Sequence, residues 1–279
     1  MGINLMQANV VKSNALIEAS YRLTAQEQRI VLSAISQIKA GEEITDQVMY
    51  SISVHDIAEL TGLHPDSLYK ELEDAALRLK RREIRIPEEP NGNGKKAKVL
   101  ITCWLQSIQY IPSAATVQVR FSHDVLPYIT QLKNQFTIYR LKDIAKLTSS
   151  HAIRLYEILI QWRSTGSRTV ELDWLKESFL LNGKYPSIKD FKARVLEPAI
   201  EQINETTNLW VNWDQKKTGR KVTHIIFNFG VKESHSPRKR ASKAQKIDIY
   251  DEKFLSKNAH KGETREQAIR RLKKEYNIK

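Results

Sequence analysis

Between Lys216 and Lys221 the chain gathers Lys216, Lys217, Arg220 and Lys221 around Gly219. Cations concentrated at one chain reversal suit the grip of a polyanion, because each neutralised phosphate releases a condensed counterion. The stretch just upstream, KYPSIKDFKARVLEPAIEQIN from Lys184, has helical spacing. At about 100° per residue, Ile188, Phe191, Val195, Ala199 and Ile203 share one side, while Asp190, Ala193, Arg194 and Glu197 share the other. Arg194 is the residue type that reads guanine O6/N7 by a bidentate contact, and Asp190 can accept from a cytosine amine or orient neighbouring cations. Lys189 and Lys192 flank this face as point charges for phosphate, and Lys184 and Tyr185 stand at its start. A helix face alone reads better as solvated surface; the basic turn that follows it favours a reader of nucleic acid.

These residues need a helix followed directly by two strands. The helix is expected over residues 187–205, with a kink or restart near Glu197 because Pro198 removes the hydrogen bond to the carbonyl of Arg194. Glu197, Glu201 and Glu205 would be repelled by phosphate, so its second half should point away from a duplex. LWVNWDQ and VTHIIFNFG supply the strands. Ahead of them come a helix over 149–162, a strand RTVELD and a short helix capped by Asp173. A helix backed by a basic hairpin is the pattern of a winged-helix DNA reader.

The same order occurs earlier in the chain. Thr24 and Glu27 form a capping box opening a helix with Ile30, Val31, Ala34, Ile35 and Ile38 on one face and Gly41 at its end. A strand VMYSIS follows, then a short helix capped by Ser53 and Asp56, a Thr61-Gly62 turn, and Pro65 at the first position of another helix. That helix repeats Leu68, Leu72, Ala75 and Leu79 to about Arg82. It exposes Lys70, Asp74, Leu77 and Arg81, with His64, Ser67 and Tyr69 at its start. Strands EIRIP, KVLITCWLQSIQYI and TVQVRFS come next; the first two form this module's hairpin, whose turn, NGNGKK, is longer than that of the second module. Helix, strand, helix, helix, strands is thus read twice, as an internal duplication. DIAELTGLHPDSLYKEL and DIAKLTSSHAIRLYEIL also match at many positions. That register would separate the second reading helix from its hairpin, so it is set aside.

The fold class that results is α+β, two tandem winged-helix domains with a flexible basic C-terminal tail. The divisions are an N-terminal arm over 1–22, a first domain over 23–133, a second over 134–232, and a linker with a short basic helix over 233–279. The second domain is the main reader. The first offers His64, Ser67, Tyr69, Lys70 and Arg81 as weaker contacts.

Composition agrees: 45 Lys+Arg against 32 Asp+Glu give +13, with a pI near 9.6. The single cysteine, Cys103, lies in an apolar run where a buried thiol is expected, and it excludes an intramolecular disulfide or a cysteine cage for a metal. No run approaches the roughly 18 apolar residues of a membrane span, and MGINLM has no signal-peptide pattern. A cytoplasmic setting is expected. Enzyme signatures are absent: no phosphate loop, no His-x-His pair and no clustered nucleophile and base. His224 reads as a core-edge or phosphate-contacting histidine. Neither catalysis, a metal nor a cofactor is expected.

The chain resembles the RepE/Pi-like replication initiators of iteron-bearing plasmids over about residues 10–232. The likeness is carried by VVKSNALIEASYRLTAQEQRIVL, LYEILIQW, YPSIKDFKARVLEPAIEQIN and GRKVTHIIFNF. It implies tandem winged helices that bind directly repeated origin sites in double-stranded DNA as monomers. It also implies a homodimer, in equilibrium with monomer, that represses its own promoter at an inverted repeat. Further implications are opening of an adjacent A·T-rich segment and recruitment of the host initiator and replicative helicase. The family's base-reading pattern falls on Asp190, Phe191, Lys192, Ala193 and Arg194, and relatives carry Arg where Ala193 stands, so one base contact should be missing. The first module's hairpin would form the dimer interface. The alternative reading is a winged-helix transcription repressor with no part in replication; a rolling-circle nicking endonuclease is a third class.

Overall fold

A computed structural model describes residues 4–39, 44–87, 98–130, 132, 135–232 and 265–275. The chain divides into a unit of residues 1–232 and a unit of 233–279. Of the second unit the described part is one helix, Arg265–Glu275. The serine- and lysine-rich segment before it, Gly41 and the NGNGKK turn all lie outside the described residues.

Local signals set the early elements. β1 (Asn9–Ser13) leads through the Ser13 cap into α1 (Asn14–Glu18) and β2 (Ser20–Tyr21). α2 (Ala25–Ile35) opens on the reciprocal Thr24–Glu27 capping box and closes at Ser36, earlier than expected. β3 (Tyr50–Ser53) is followed by α3 (Val54–Thr61), capped by the Ser53 hydroxyl and ended by left-handed Gly62 at φ 76°. α4 (Pro65–Leu79) begins with proline in its first turn and buries Leu68, Leu72, Ala75 and Leu79.

The stretch read as one strand from Lys98 to Ile111 is two. β5 (Val99–Cys103) pairs with β4 (Glu83–Pro87), whereas β6 (Leu105–Ile111) pairs with β7 (Thr116–Phe121). Trp104, fully buried, lies where the chain passes from one sheet to the other. The sheets are ordered β2-β4-β5 and β3-β7-β6. Cys103 is half-buried rather than buried, its thiol donating to the Leu105 carbonyl at 3.4 Å.

The second module comprises α5 (Ser150–Ile160), β9 (Ser167–Glu171), α6 (Leu172–Ser178), α7 (Ile188–Phe191), α8 (Glu197–Thr206), β10 (Leu209–Thr218) and β11 (Lys221–Val231). Its sheet is ordered β10-β11-β9, matching β6-β7-β3 strand for strand. That match corrects the location of the first wing. The counterpart of β10–β11 is β6–β7, with its turn at Pro112–Ala115, and β4–β5 is an insertion before it. Asp173 sits in the first turn of α6 and Glu171 is the cap position.

The segment 1–22, read as an arm, is instead threaded into the fold. β1 pairs with β8 (Phe136–Arg140) along its whole length, and Val10, Leu16, Ile17 and Ala19 are fully buried. Lys12, with no exposed surface, reaches the Glu157 carboxylate on α5 at 2.8 Å. Tyr139 donates to the same carboxylate at 2.6 Å, and Arg154 donates to it at 3.2 Å, to the Tyr21 hydroxyl at 2.6 Å and to the Ala19 carbonyl at 2.7 Å. Burial alone would raise the Glu157 carboxyl, but Lys12 and Arg154 outweigh it and hold its pKa below the ordinary value. Arg168 of β9 meets Glu18 of α1 at 2.7 Å, and Arg29 of α2 donates to the Ala145 and Leu147 carbonyls. Polar bonds made this far from water tie both modules into one body.

Candidate nucleic-acid interface

α6 and the α7–α8 helix form the helix-turn-helix, and the turn between them is strained. Leu180 and Tyr185 adopt left-handed φ of 50° and 52° without being glycine, a conformation costing about 1–2 kcal/mol per residue. Tyr185 is held there by its neighbours: Lys176 donates to its carbonyl at 2.9 Å, and its ring meets Phe191 edge-on at 6.4 Å. This fixes where the reading helix begins.

The restart expected near Glu197 is there, as a change of pitch rather than a break. Residues Lys192–Leu196 form a π-turn in which the Glu197 N–H bonds the Lys192 carbonyl, five residues back, and the α-helix resumes with Pro198 in its first turn. A π-turn lengthens the loop of each bond, which absorbs the missing proline donor without breaking the rod. It also turns the side chains that follow. Phe191, Val195 and Leu196 enter the core, while Lys189, Asp190, Ala193 and Arg194 are exposed. Lys184 is exposed and Tyr185 half-buried. Of the base-reading pattern implied by the resemblance, Phe191 is therefore structural. Lys192 is half-buried, with its ammonium 5.1 Å from the Trp213 ring, so it braces the helix against the hairpin. Glu197, Glu201 and Glu205 face solvent on the later turns.

The hairpin extends well past the core: from Lys216 to Lys221 every residue is exposed. Thr218 pairs with Lys221, leaving Gly219 and Arg220 as a two-residue turn. Gly219 takes φ 61° and Arg220 does not, the type II′ pattern that suits the strand twist. A register shift between Lys216 and Lys217 bulges the strand just before the turn and re-aims the cations. Among the described residues, none of the four tip cations forms an ion pair. His224 is half-buried at the root of this tip, its Nδ1 3.0 Å from the Thr223 hydroxyl.

Three side chains that the sequence reading passed over fix α8 in place, two of them against the wing. Asn204 of α8 accepts from the Val211 N–H at 2.6 Å and donates to the Val211 carbonyl at 2.9 Å. Lys232, the residue after β11, donates to the Asn204 and Thr207 carbonyls, capping α8 with positive charge. Gln202 accepts from the Thr148 and Ser149 amides at 3.1 and 3.0 Å, fastening α8 to the start of α5. Asn, Gln and Lys at helix ends carry no motif, so nothing in their spacing marked them. Nearby, burial lowers the His151 imidazole, with Arg22 and Lys184 adding to the effect.

In the first module the candidates do not converge. The His64 ring is committed to α4 as its cap, accepting from the Asp66 N–H at 3.3 Å, and the Ser67 hydroxyl donates to the His64 carbonyl at 2.8 Å. Lys70 is exposed and Tyr69 half-buried. Arg81 is exposed beyond the far end of α4, about 20 Å along the axis from Ser67, with Glu71, Glu73 and Asp74 between them. The wing turn here, Pro112–Ala115, is PSAA and carries no charge. Among the described residues no group of His, Cys, Asp or Glu has the arrangement of a metal site. Nor is any described helix long and apolar enough to cross a membrane.

Comparison with known proteins places this geometry. Residues 9–160 match the family model described as Initiator Replication protein, WH1, and residues 171–229 match Initiator Rep protein, WH2. An uncharacterized 27.6 kDa protein of Escherichia coli is 28% identical over 228 residues, covering 78% of this chain and 93% of that protein. The PI protein of E. coli is 24% identical over 252 residues, with 79% and 82% covered. A replication initiation protein of E. coli is 25% identical over 225 residues, with 78% and 68% covered. The crystal structure of Pi initiator protein in complex with iteron DNA superposes with a TM-score of 0.66 at 22% identity, over 82% of this chain and 99% of that one.

Proposed function

Because the chain belongs to the initiator replication protein family, with both of its winged-helix domains, we propose that it binds directly repeated sites at a replication origin in double-stranded DNA. On this reading Asp190, Ala193 and Arg194 meet base edges in the major groove. Lys184, Tyr185, Lys189 and Lys192, with the wing cations Lys216, Lys217, Arg220 and Lys221, hold the phosphates. The observation that carries the reading is the conjunction on one rigid module of an exposed helix start and a hairpin tip whose cations have no ion-pair partner among the described residues. In the first module His64, Ser67, Tyr69 and Lys70 at the start of α4 would make weaker contacts, and Arg81, beyond its far end, lies outside that group. Two reading helices on one body would span adjacent turns of one face of the duplex, so the site is about 20 bp.

The further steps belong to the same proposal. Bending flexible base steps at about 1–6 kcal/mol per bend would draw on binding energy and help open an A·T-rich segment. The bound chain would bring in the host initiator and helicase, act in the cytoplasm without a catalytic centre, and as a homodimer repress its own promoter at an inverted repeat. The pairing surface would be the β4–β5 hairpin, where Val99 and Ile101 on edge strand β5 are 53% and 57% exposed. The PI protein relative and the superposed initiator–iteron complex support this reading over a repressor without a replication role. Footprinting on the DNA flanking its gene tests it. An array of protected direct repeats of about 20 bp is expected; protection of a lone palindrome would favour the repressor. Supercoiled origin DNA with Mg²⁺ should stay uncut, and a site-specific nick would overturn the assignment.

A further inference from the structure

The C-terminal half of α4 is organised for something other than base reading. Leu77, at 64%, is the most exposed large hydrophobic side chain among the described residues. Beside it lies a cavity of about 390 Å³ lined by Leu77, Arg78, Arg81 and Arg82. Arg78 and Arg82 are held in place by one fully buried carboxylate, Glu27, at 3.3 and 3.0 Å. That carboxylate also accepts from the Thr24 N–H at 2.8 Å, so the guanidinium groups sit on a rigid base. Arg81 brings a third guanidinium to the same cavity, leaving positive charge in excess of the single carboxylate that faces it.

Charge is segregated about Leu77. Glu73 and Asp74 lie one turn before it, and Lys80 and Arg81 one turn after it. By helical projection Glu73 and Lys80 fall on one flank of Leu77, and Asp74 and Arg81 fall on the other. A duplex rail along this stripe would meet the acidic turn, and an exposed leucine gains little from phosphate. A helix running antiparallel with the same pattern complements it throughout. Leucine meets leucine, and on each side the acidic turn of one copy meets the basic turn of the other. That is the self-complementarity of an isologous two-fold contact.

We propose that the face running from Glu73 on α4 to Arg81 just past its end pairs with the same face of a second copy of this chain, through Leu77 at the centre and four flanking ion pairs. One helix face covers less than the roughly 1,000 Å² of a stable interface, so the contact is weak and forms where copies are held close or concentrated. It is separate from the β4–β5 hairpin and does not depend on the DNA assignment.

Sedimentation equilibrium of the full chain tests it, in an Ile101→Asp background that silences the hairpin. Leu77→Asp, Glu73→Lys and Lys80→Glu are each expected to shift the association midpoint at least tenfold to higher concentration, since every substitution acts twice across the two-fold. Glu73→Lys combined with Lys80→Glu should return to within about threefold of the parent. All three sites are exposed, and circular dichroism checks that each variant folds. Unchanged midpoints in the single variants, or a double variant no better than either single one, would overturn the proposal. So would loss of duplex binding by Leu77→Asp with self-association intact, which would assign the face to DNA.

Discussion

Replacing Lys216, Lys217, Arg220 and Lys221 together by alanine isolates the wing. All four are exposed and unpaired by any described carboxylate, so their removal takes nothing from the core. Each phosphate contact adds about 0.9 to the slope of log affinity against log salt. If all four reach phosphate, the slope falls by about 3.6, and the variant sheds about 150-fold of the affinity change between 50 and 200 mM salt. If the bulge at Lys216/Lys217 aims only two of them at the rail, the fall is about 1.8, or about 12-fold over the same range. Fluorescence anisotropy with a labelled site, titrated at several salt concentrations, reads that number directly. The same measurement on a scrambled duplex should lose an equal slope, because phosphates carry no sequence. Thermal unfolding should move by no more than about 2 °C, as for exposed substitutions away from packing. A salt slope equal to the parent's would remove the wing from the phosphate contacts, whatever happened to affinity.

Arg194→Ala should cost about 1–3 kcal/mol on the cognate site and little on random duplex in the same anisotropy assay; equal losses on both would show that Arg194 does not read bases. Asn204→Ala strips the Val211 amide and carbonyl of both partners, so urea unfolding should register a loss of about 1–3 kcal/mol, and an unchanged midpoint would refute its role as the strap between α8 and the wing. Glu157→Gln leaves Lys12 and Arg154 charged, buried and uncompensated, and should cost about 3–5 kcal/mol by the same method. The Glu157 pKa lies below its ordinary value of 4.5, so its contribution is complete above that value and disappears as pH falls through the folded-state value. The Gln variant should therefore unfold in acid with a shallower pH dependence than the parent; identical curves would remove Glu157 from the acid transition.

What could be read from the chain was local. The Thr24–Glu27 box, the Ser53 cap, Gly62, Pro65 and the outward face of Asp190 and Arg194 each depend on residues within one or two turns, and each stands where the spacing places it. Pro198 announced a disturbance, but whether a helix breaks or slips into a π-turn depends on what the flanking turns are packed against. Phe191, Val195 and Leu196 anchor this rod on both sides of the fault. What could not be read was long-range. Lys12 and Glu157 lie 145 residues apart, and a lysine in an amphiphilic strand looks like surface until its partner is known. The arm reading failed for that reason: VVKSNAL and LYEILIQW were recognised as separate signatures when they are two halves of one buried contact.

The duplication shows how far equal topology is from equal chemistry. β3-β7-β6 and β9-β11-β10 place a wing at the same point in each module, yet one turn is PSAA and the other carries Lys217, Arg220 and Lys221. A neutral tip makes no counterion-releasing contact, so this wing would add little to a salt-dependent grip. Its inserted β4–β5 hairpin and the split charges of α4 add surfaces that the second module lacks. The hairpin turn that sequence alone offered as the first wing belongs to that insertion. A protein built this way would commit its second module to the duplex and leave the first free to meet other copies. Moving the second module's KKTGRK turn onto β6–β7 would then raise affinity for any duplex without sharpening the choice among them.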